Sequence, residues 1–122
     1  MERRFALAVF LYCAAIFLES SHAVPYDVDR LLPGIDKVVH AGMYGVLAGL
    51  VATGMRRSGR AYSSRVVFWV PVIFAATYGA SDEFHQYFVP GRSCDILDEV
   101  SDFGGAIVVQ YYLVIRRWKL SR

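Results

Sequence analysis

Four apolar runs joined by short polar connections constrain this chain more than anything else in it: Phe5 to Leu18, Val38 to Met55, Val66 to Ala80, and Phe103 to Ile115. A helix needs roughly 20 mostly apolar residues to cross a bilayer core, and each run comes close once small or uncharged neighbours such as Ser20 to Val24, or Ser81, are added. Buried helices of soluble proteins keep a polar face, whereas Val46 to Val51 and Val66 to Ala76 have almost none. Hydrophobic residues make up 56% of the 122, and the mean hydropathy of +0.37 lies well above that of an ordinary soluble domain. The expected architecture is therefore a single all-α domain, a membrane bundle of four transmembrane helices over about 4–23, 37–55, 65–88 and 95–117.

The placement of charge, more than the net +2, gives this bundle an orientation. Basic residues gather at alternate connections: Arg3 and Arg4, then Arg56, Arg57, Arg60 and Arg65, then Arg116, Arg117, Lys119 and Arg122. By the positive-inside rule these three segments are cytoplasmic, which requires an even number of spans with both termini inside. The other two connections hold only Arg30, Lys37 and Arg92 as bases, yet they and their borders carry every acid except Glu2. The first run also has features of a signal peptide, with a basic start and a small-residue site at Ser21-His22-Ala23, but a retained span explains the charge alternation equally well. The connection from His22 to Asp36 contains Pro25, Pro33 and Gly34 and suits an ordered loop with one helical turn around Val28 to Leu32. Cys13 and Cys94 lie in unrelated surroundings and are expected to be free thiols.

Polar residues concentrate at the ends of the spans that face away from the basic blocks. Asp36, His40 and Tyr44 follow at i, i+4 and i+8 and form one helical stripe, with Lys37 beside it. A lone interfacial histidine ordinarily snorkels or bonds a carbonyl; His40 has company. Ala41, Gly45, Gly49 and Thr53 make a small-residue ladder on the neighbouring face, able to admit a second backbone within the chain or from another copy in a homo-oligomer. The third run continues as a helix past the lipid, bringing Tyr78, Asp82, His85 and Gln86 near one face and Glu83 beside them, until Pro90-Gly91 makes a turn. The fourth helix starts with Ser93 or Asp95 as N-cap. Asp95, Asp98 and Glu99 are satisfied in part by the helix dipole, while Asp102 abuts the apolar run, where a carboxylate is costly without a partner. His40, Tyr44, Glu83, Gln86, Arg92, Asp98 and Asp102 are thus expected to line one outer-leaflet pocket, with Arg92 as counter-ion to the acids.

These residues resemble the VanZ-like membrane proteins, a family named for a teicoplanin-resistance protein of glycopeptide-resistant bacteria. The resemblance is carried by DKVVHAGMY, Asp36 to Tyr44, and by DEFHQYFVPGRSCDILDEVSDFGGA, Asp82 to Ala106, with the spacing of Glu83, Gln86, Pro90, Arg92, Asp98 and Gly105 as its most distinctive part. Ala41 stands where an aromatic is usual and Asp102 where an asparagine is common; the second change adds a possible negative charge to the pocket. The resemblance implies a small helical bundle in the bacterial cytoplasmic membrane and a role in teicoplanin resistance or envelope physiology.

Three functions compete on the residues themselves. The pocket binds an envelope lipid, cell-wall precursor or other amphiphile, with apolar helix faces for its tails. Alternatively it is an enzyme site with His40, Glu83 or Asp98 in acid/base roles, or a structural or interaction module whose polar cluster ties helix ends together. No nucleophile motif, phosphate loop or diagnostic metal spacing is present, so no cofactor and no metal is expected, although His40, His85 and the acids have ligating chemistry. The cytoplasmic arginines are explained by topology and not by nucleic acid.

Overall fold

The computed structural model describes residues 1–22, 32–92 and 94–120. Among them are four α-helices and no strand: α1, Arg3–Ser20; α2, Ile35–Arg56; α3, Ser64–Gln86; and α4, Ile96–Leu120. The helical turn expected around Val28 to Leu32 falls largely outside the described residues, as does Ser93.

Local chemistry sets the ends of these helices. α2 starts after Gly34, whose φ of 81° is a left-handed conformation that suits glycine. Ser63 caps α3 by accepting the Val66 N–H at 3.3 Å. Asp95 caps α4 in the same manner, its Oδ1 accepting the Leu97 N–H at 2.9 Å. Between α3 and α4, Val89-Pro90-Gly91-Arg92 forms the expected turn: the Arg92 N–H donates to the Val89 carbonyl at 3.1 Å, and Gly91 takes a φ of 82°.

Long-range contacts define an up-and-down bundle. The Glu2 N–H donates to the Gly54 carbonyl at 3.0 Å, so the start of α1 lies beside the end of α2. α2 and α4 run parallel, with Ala41 beside Gly105 and Gly45 beside Val109. α3 runs antiparallel to both, bringing Asp82 to Tyr44. The helix ends bearing Arg3, Arg4, Arg56 and Arg65 therefore share one end of the bundle, and Lys37, Glu83, Asp95 and Asp98 share the other.

Small residues allow α2 and α4 to touch. A Cβ at Gly105 would collide with the backbone of Ala41, and one at Gly45 would stand 2.9 Å from Val109 Cγ2. The small-residue ladder of α2 is thus packed within the chain, against α4. α1 docks through Tyr12 Oη, donating to the Met43 carbonyl at 3.1 Å, and through the Cys13 carbonyl, which accepts from Tyr78 Oη at 2.6 Å. Both cysteines are free.

The distribution of polarity is inverted relative to a water-soluble domain. Asp82, Glu83, Gln86, Asp98, Asp102 and Gln110 are buried, while Phe10, Trp69, Ile73, Phe84, Val108 and Tyr112 lie exposed on the outside. Of the four helices, only α2 is by itself long and apolar enough to cross a membrane. α1 holds Arg3, Arg4 and Glu19, α3 holds Arg65, Asp82 and Glu83, and α4 has acids at one end and bases at the other.

Candidate functional site

Three helices contribute to a polar cluster at the end of the bundle away from the arginines. α2 supplies Lys37, His40 and Tyr44 from successive turns of one face; α3 supplies Asp82, Glu83 and Gln86; α4 supplies Asp98, Glu99 and Asp102. The close approach of α2 and α4 sets the register, and Gly79 of α3 makes the room. A Cβ at Gly79 would stand 2.8 Å from Asp102 Oδ2, 2.9 Å from Glu99 Oε2 and 3.3 Å from the Tyr44 ring.

The cluster divides into a saturated part and a part with unsatisfied oxygens. In the first part Asp82 is saturated: Ser20 Oγ donates to its Oδ1 at 2.5 Å, while Tyr44 Oη and Gln86 Nε2 donate to its Oδ2 at 3.2 and 3.1 Å. Donors from three helices converge on this one carboxylate, which makes it a tie between them.

In the second part, His40 Nδ1 donates to Asp102 Oδ1 at 3.0 Å, and His40 Nε2 lies 4.0 Å from Asp98 Oδ2. Glu83 Oε2 accepts the backbone N–H of Asp95 at 3.2 Å. Lys37 Nζ donates to Asp36, Asp95 and Asp98 at 3.0, 3.2 and 3.1 Å and holds the rim together. Glu83 Oε1, Glu99 Oε2 and Asp102 Oδ2 are buried without a hydrogen-bond partner. Such unsatisfied oxygens cost about 1–3 kcal/mol each, and more when charged, so the cluster is short of positive charge or donors.

A family model described as VanZ/LLP1 matches residues 3–117. The chain belongs to the VanZ/LLP1 family. Comparisons with curated proteins and with solved structures found no match. The VanZ/LLP1 match spans both stretches that carried the resemblance, along with the whole of α1.

In this VanZ/LLP1 chain His40, Tyr44, Glu83, Gln86, Asp98 and Asp102 come together, and among the described residues no hydrogen bond or ion pair joins Arg92 to them. Its Nε donates to the His22 carbonyl at 2.8 Å, and its Nη2 donates to the Glu19 carbonyl at 3.2 Å and to Glu19 Oε1 at 3.3 Å. Arg92 satisfies carbonyls at the C-terminal end of α1, where a cation also complements the helix dipole. Lys37 occupies the counter-ion position among the acids.

The loop preceding α4 tunes two groups. Asp95 is held below the usual aspartate range, first by the Leu97 N–H and then by Lys37. The Cys94 thiol is pushed up by lost hydration and by the carboxylates of Glu83, Asp95 and Asp98 around it, so it stays a thiol at neutral pH.

Sequence reasoning missed the bond from Ser20 to Asp82, because residues 62 positions apart give no local signal. Gln110, whose Nε2 donates to the Ala48 carbonyl at 3.0 Å inside the bundle, was visible as a single amide in the run VVQYY.

Proposed function

We propose that this VanZ/LLP1 protein is a multi-pass protein of the bacterial cytoplasmic membrane, with both termini cytoplasmic. Its polar cluster forms an outer-side pocket for the headgroup of an envelope lipid or cell-wall precursor. Handling such an amphiphile would be its contribution to teicoplanin resistance or envelope physiology, the role its family suggests.

The observation that carries this proposal is the inverted polarity: buried carboxylates and amides inside an exterior of phenylalanine, tryptophan, isoleucine and valine. An apolar exterior of that extent is costly in water and suited to lipid, and ionisable groups within such a bundle are retained for a task. Two features favour four spans over one. α1 is hydrogen-bonded into the bundle at Met43, Tyr78 and Asp82, and the arginine-bearing helix ends lie opposite the acids, as the positive-inside rule requires.

Native mass spectrometry of the protein released from mild detergent tests the pocket. A retained lipid lost in Glu83→Gln and Asp98→Asn, with membrane level and helicity kept, supports it; equal lipid retention by those variants contradicts it. Labelling of single cysteines at Asp95 and Ser58 tests the orientation. Reaction from the outside at Asp95 but not at Ser58 is expected, and the reverse pattern contradicts the topology.

A further inference from the structure

One donor atom from each of His40, Glu83 and Asp98 lies within 4.8 Å of the other two, a separation that a single ion can span. Each side chain also has one polar atom fixed by a separate partner. His40 Nδ1 is bonded to Asp102, Glu83 Oε2 to the Asp95 N–H, and Asp98 Oδ1 to Lys37. That leaves His40 Nε2, Glu83 Oε1 and Asp98 Oδ2 as the atoms not committed to those bonds. Nε2 and Oδ2 stand 4.0 Å apart.

We infer that His40, Glu83 and Asp98 form a binding site for a divalent first-row transition-metal cation. The arrangement matches what ligands require. A carboxylate on Nδ1 fixes the imidazole ring and leaves the Nε2 lone pair to the metal, which is the outer-partner pattern of metal-bound histidines. Glu83 is 5% exposed, and its Oε1 has no hydrogen-bond partner. A buried carboxylate oxygen without a donor is a strong acceptor for a cation.

Charge balance gives independent support. Glu83, Asp98, Glu99 and Asp102 crowd one volume, where Lys37 pairs with Asp98 of the four, and Arg92 bonds to α1 instead. A divalent ion supplies the missing charge. One imidazole nitrogen with two carboxylate oxygens suits zinc, cobalt or manganese better than calcium or magnesium, which take oxygen ligands almost alone. Three protein ligands leave coordination positions for water or for a phosphate or carboxylate oxygen. The site is independent of which amphiphile, if any, the pocket holds.

The test uses the full-length protein in detergent, stripped with EDTA, and Co2+ alone as the probe. Visible d–d absorption saturating at one equivalent is expected, with displacement by Zn2+, which binds such ligand sets more tightly. His40→Ala, Glu83→Gln and Asp98→Asn should each weaken binding by 100-fold or more. Asp102 is a positioning residue, so Asp102→Asn should weaken binding 10- to 100-fold while stoichiometry and band positions persist. His85→Ala, on the opposite part of α3 against Phe17 and Ser21, should bind as the parent does. Helical circular dichroism and monodisperse elution establish folding for every variant. Absence of saturable bands in the folded parent protein overturns the site. So does binding unchanged by His40→Ala and Glu83→Gln, or lost equally in His85→Ala.

Discussion

Gly105 of α4 lies so close to Ala41 of α2 that a side chain at position 105 would run into the Ala41 carbonyl. Backbone cannot yield as a flexible side chain can, so Gly105→Ala should cost about 1–3 kcal/mol or more through overpacking. Gly104 has nothing within 4 Å of a built Cβ, and Gly104→Ala should stay within about 0.5 kcal/mol of the parent. Thermal unfolding in detergent measures both; equal melting temperatures would contradict the close contact.

Asp82 holds three helices through Ser20, Tyr44 and Gln86. Removing one donor leaves two, so Tyr44→Phe should cost about 1.5–3 kcal/mol, the range for a hydrogen bond to a charged group. Asp82→Leu removes the common acceptor and strands Tyr44 and Gln86, while Ser20 keeps the Phe17 carbonyl, and should lower stability by more than any single donor variant. A milder loss in Asp82→Leu than in Tyr44→Phe would show that the knot is not cooperative.

Arg92 fastens the α3–α4 turn to α1 by two carbonyl bonds and one ion pair with Glu19, which is largely solvent-facing. Exposed ion pairs contribute under about 1 kcal/mol. Glu19→Gln should therefore be mild, whereas Arg92→Ala should cost about 1–2 kcal/mol by freeing the carbonyls as well. Limited proteolysis at the end of α1 reads the difference: faster cleavage is expected in Arg92→Ala alone, and equal rates in both variants would assign the effect to the ion pair.

Acid should loosen the rim at Asp95. The Leu97 N–H and Lys37 favour its carboxylate, so the folded chain binds this proton less readily than the unfolded chain does. Asp95 thus stabilises the fold above the ordinary aspartate value of about 4, and this contribution is lost as pH falls through the lower folded value. Asp95→Asn should flatten the acid limb of a stability profile followed by circular dichroism; an unchanged limb would show that other groups produce it.

The four helices are legible because apolar runs and charge blocks are local patterns. The convergence of His40, Glu83, Asp98 and Asp102 follows from periodicity once the helices are set antiparallel in sequence order. The partner of Arg92 is not legible: among acids nearby in sequence it looks like their counter-ion, yet the left-handed turn at Gly91 precedes it and its bonds go to residues 19 and 22. The partners of Asp82 are hidden for a similar reason. Two of its donors, Ser20 and Tyr44, lie 62 and 38 positions away, and only Gln86, one turn on, is local.

Since α2 and α4 run side by side with their main chains in contact, Lys37, His40, Asp98 and Asp102 belong to a single stiff wall, and Glu83 arrives from across the gap on α3. On the proposed pocket, widening is expected from tilting of α3 against that wall, with the Pro90-Gly91 turn as the point that yields. A disulfide staple between α2 and α4 should leave ligand exchange unaltered, whereas one anchoring α3 to α4 should arrest it; exchange kinetics insensitive to either staple would show that the mouth is rigid.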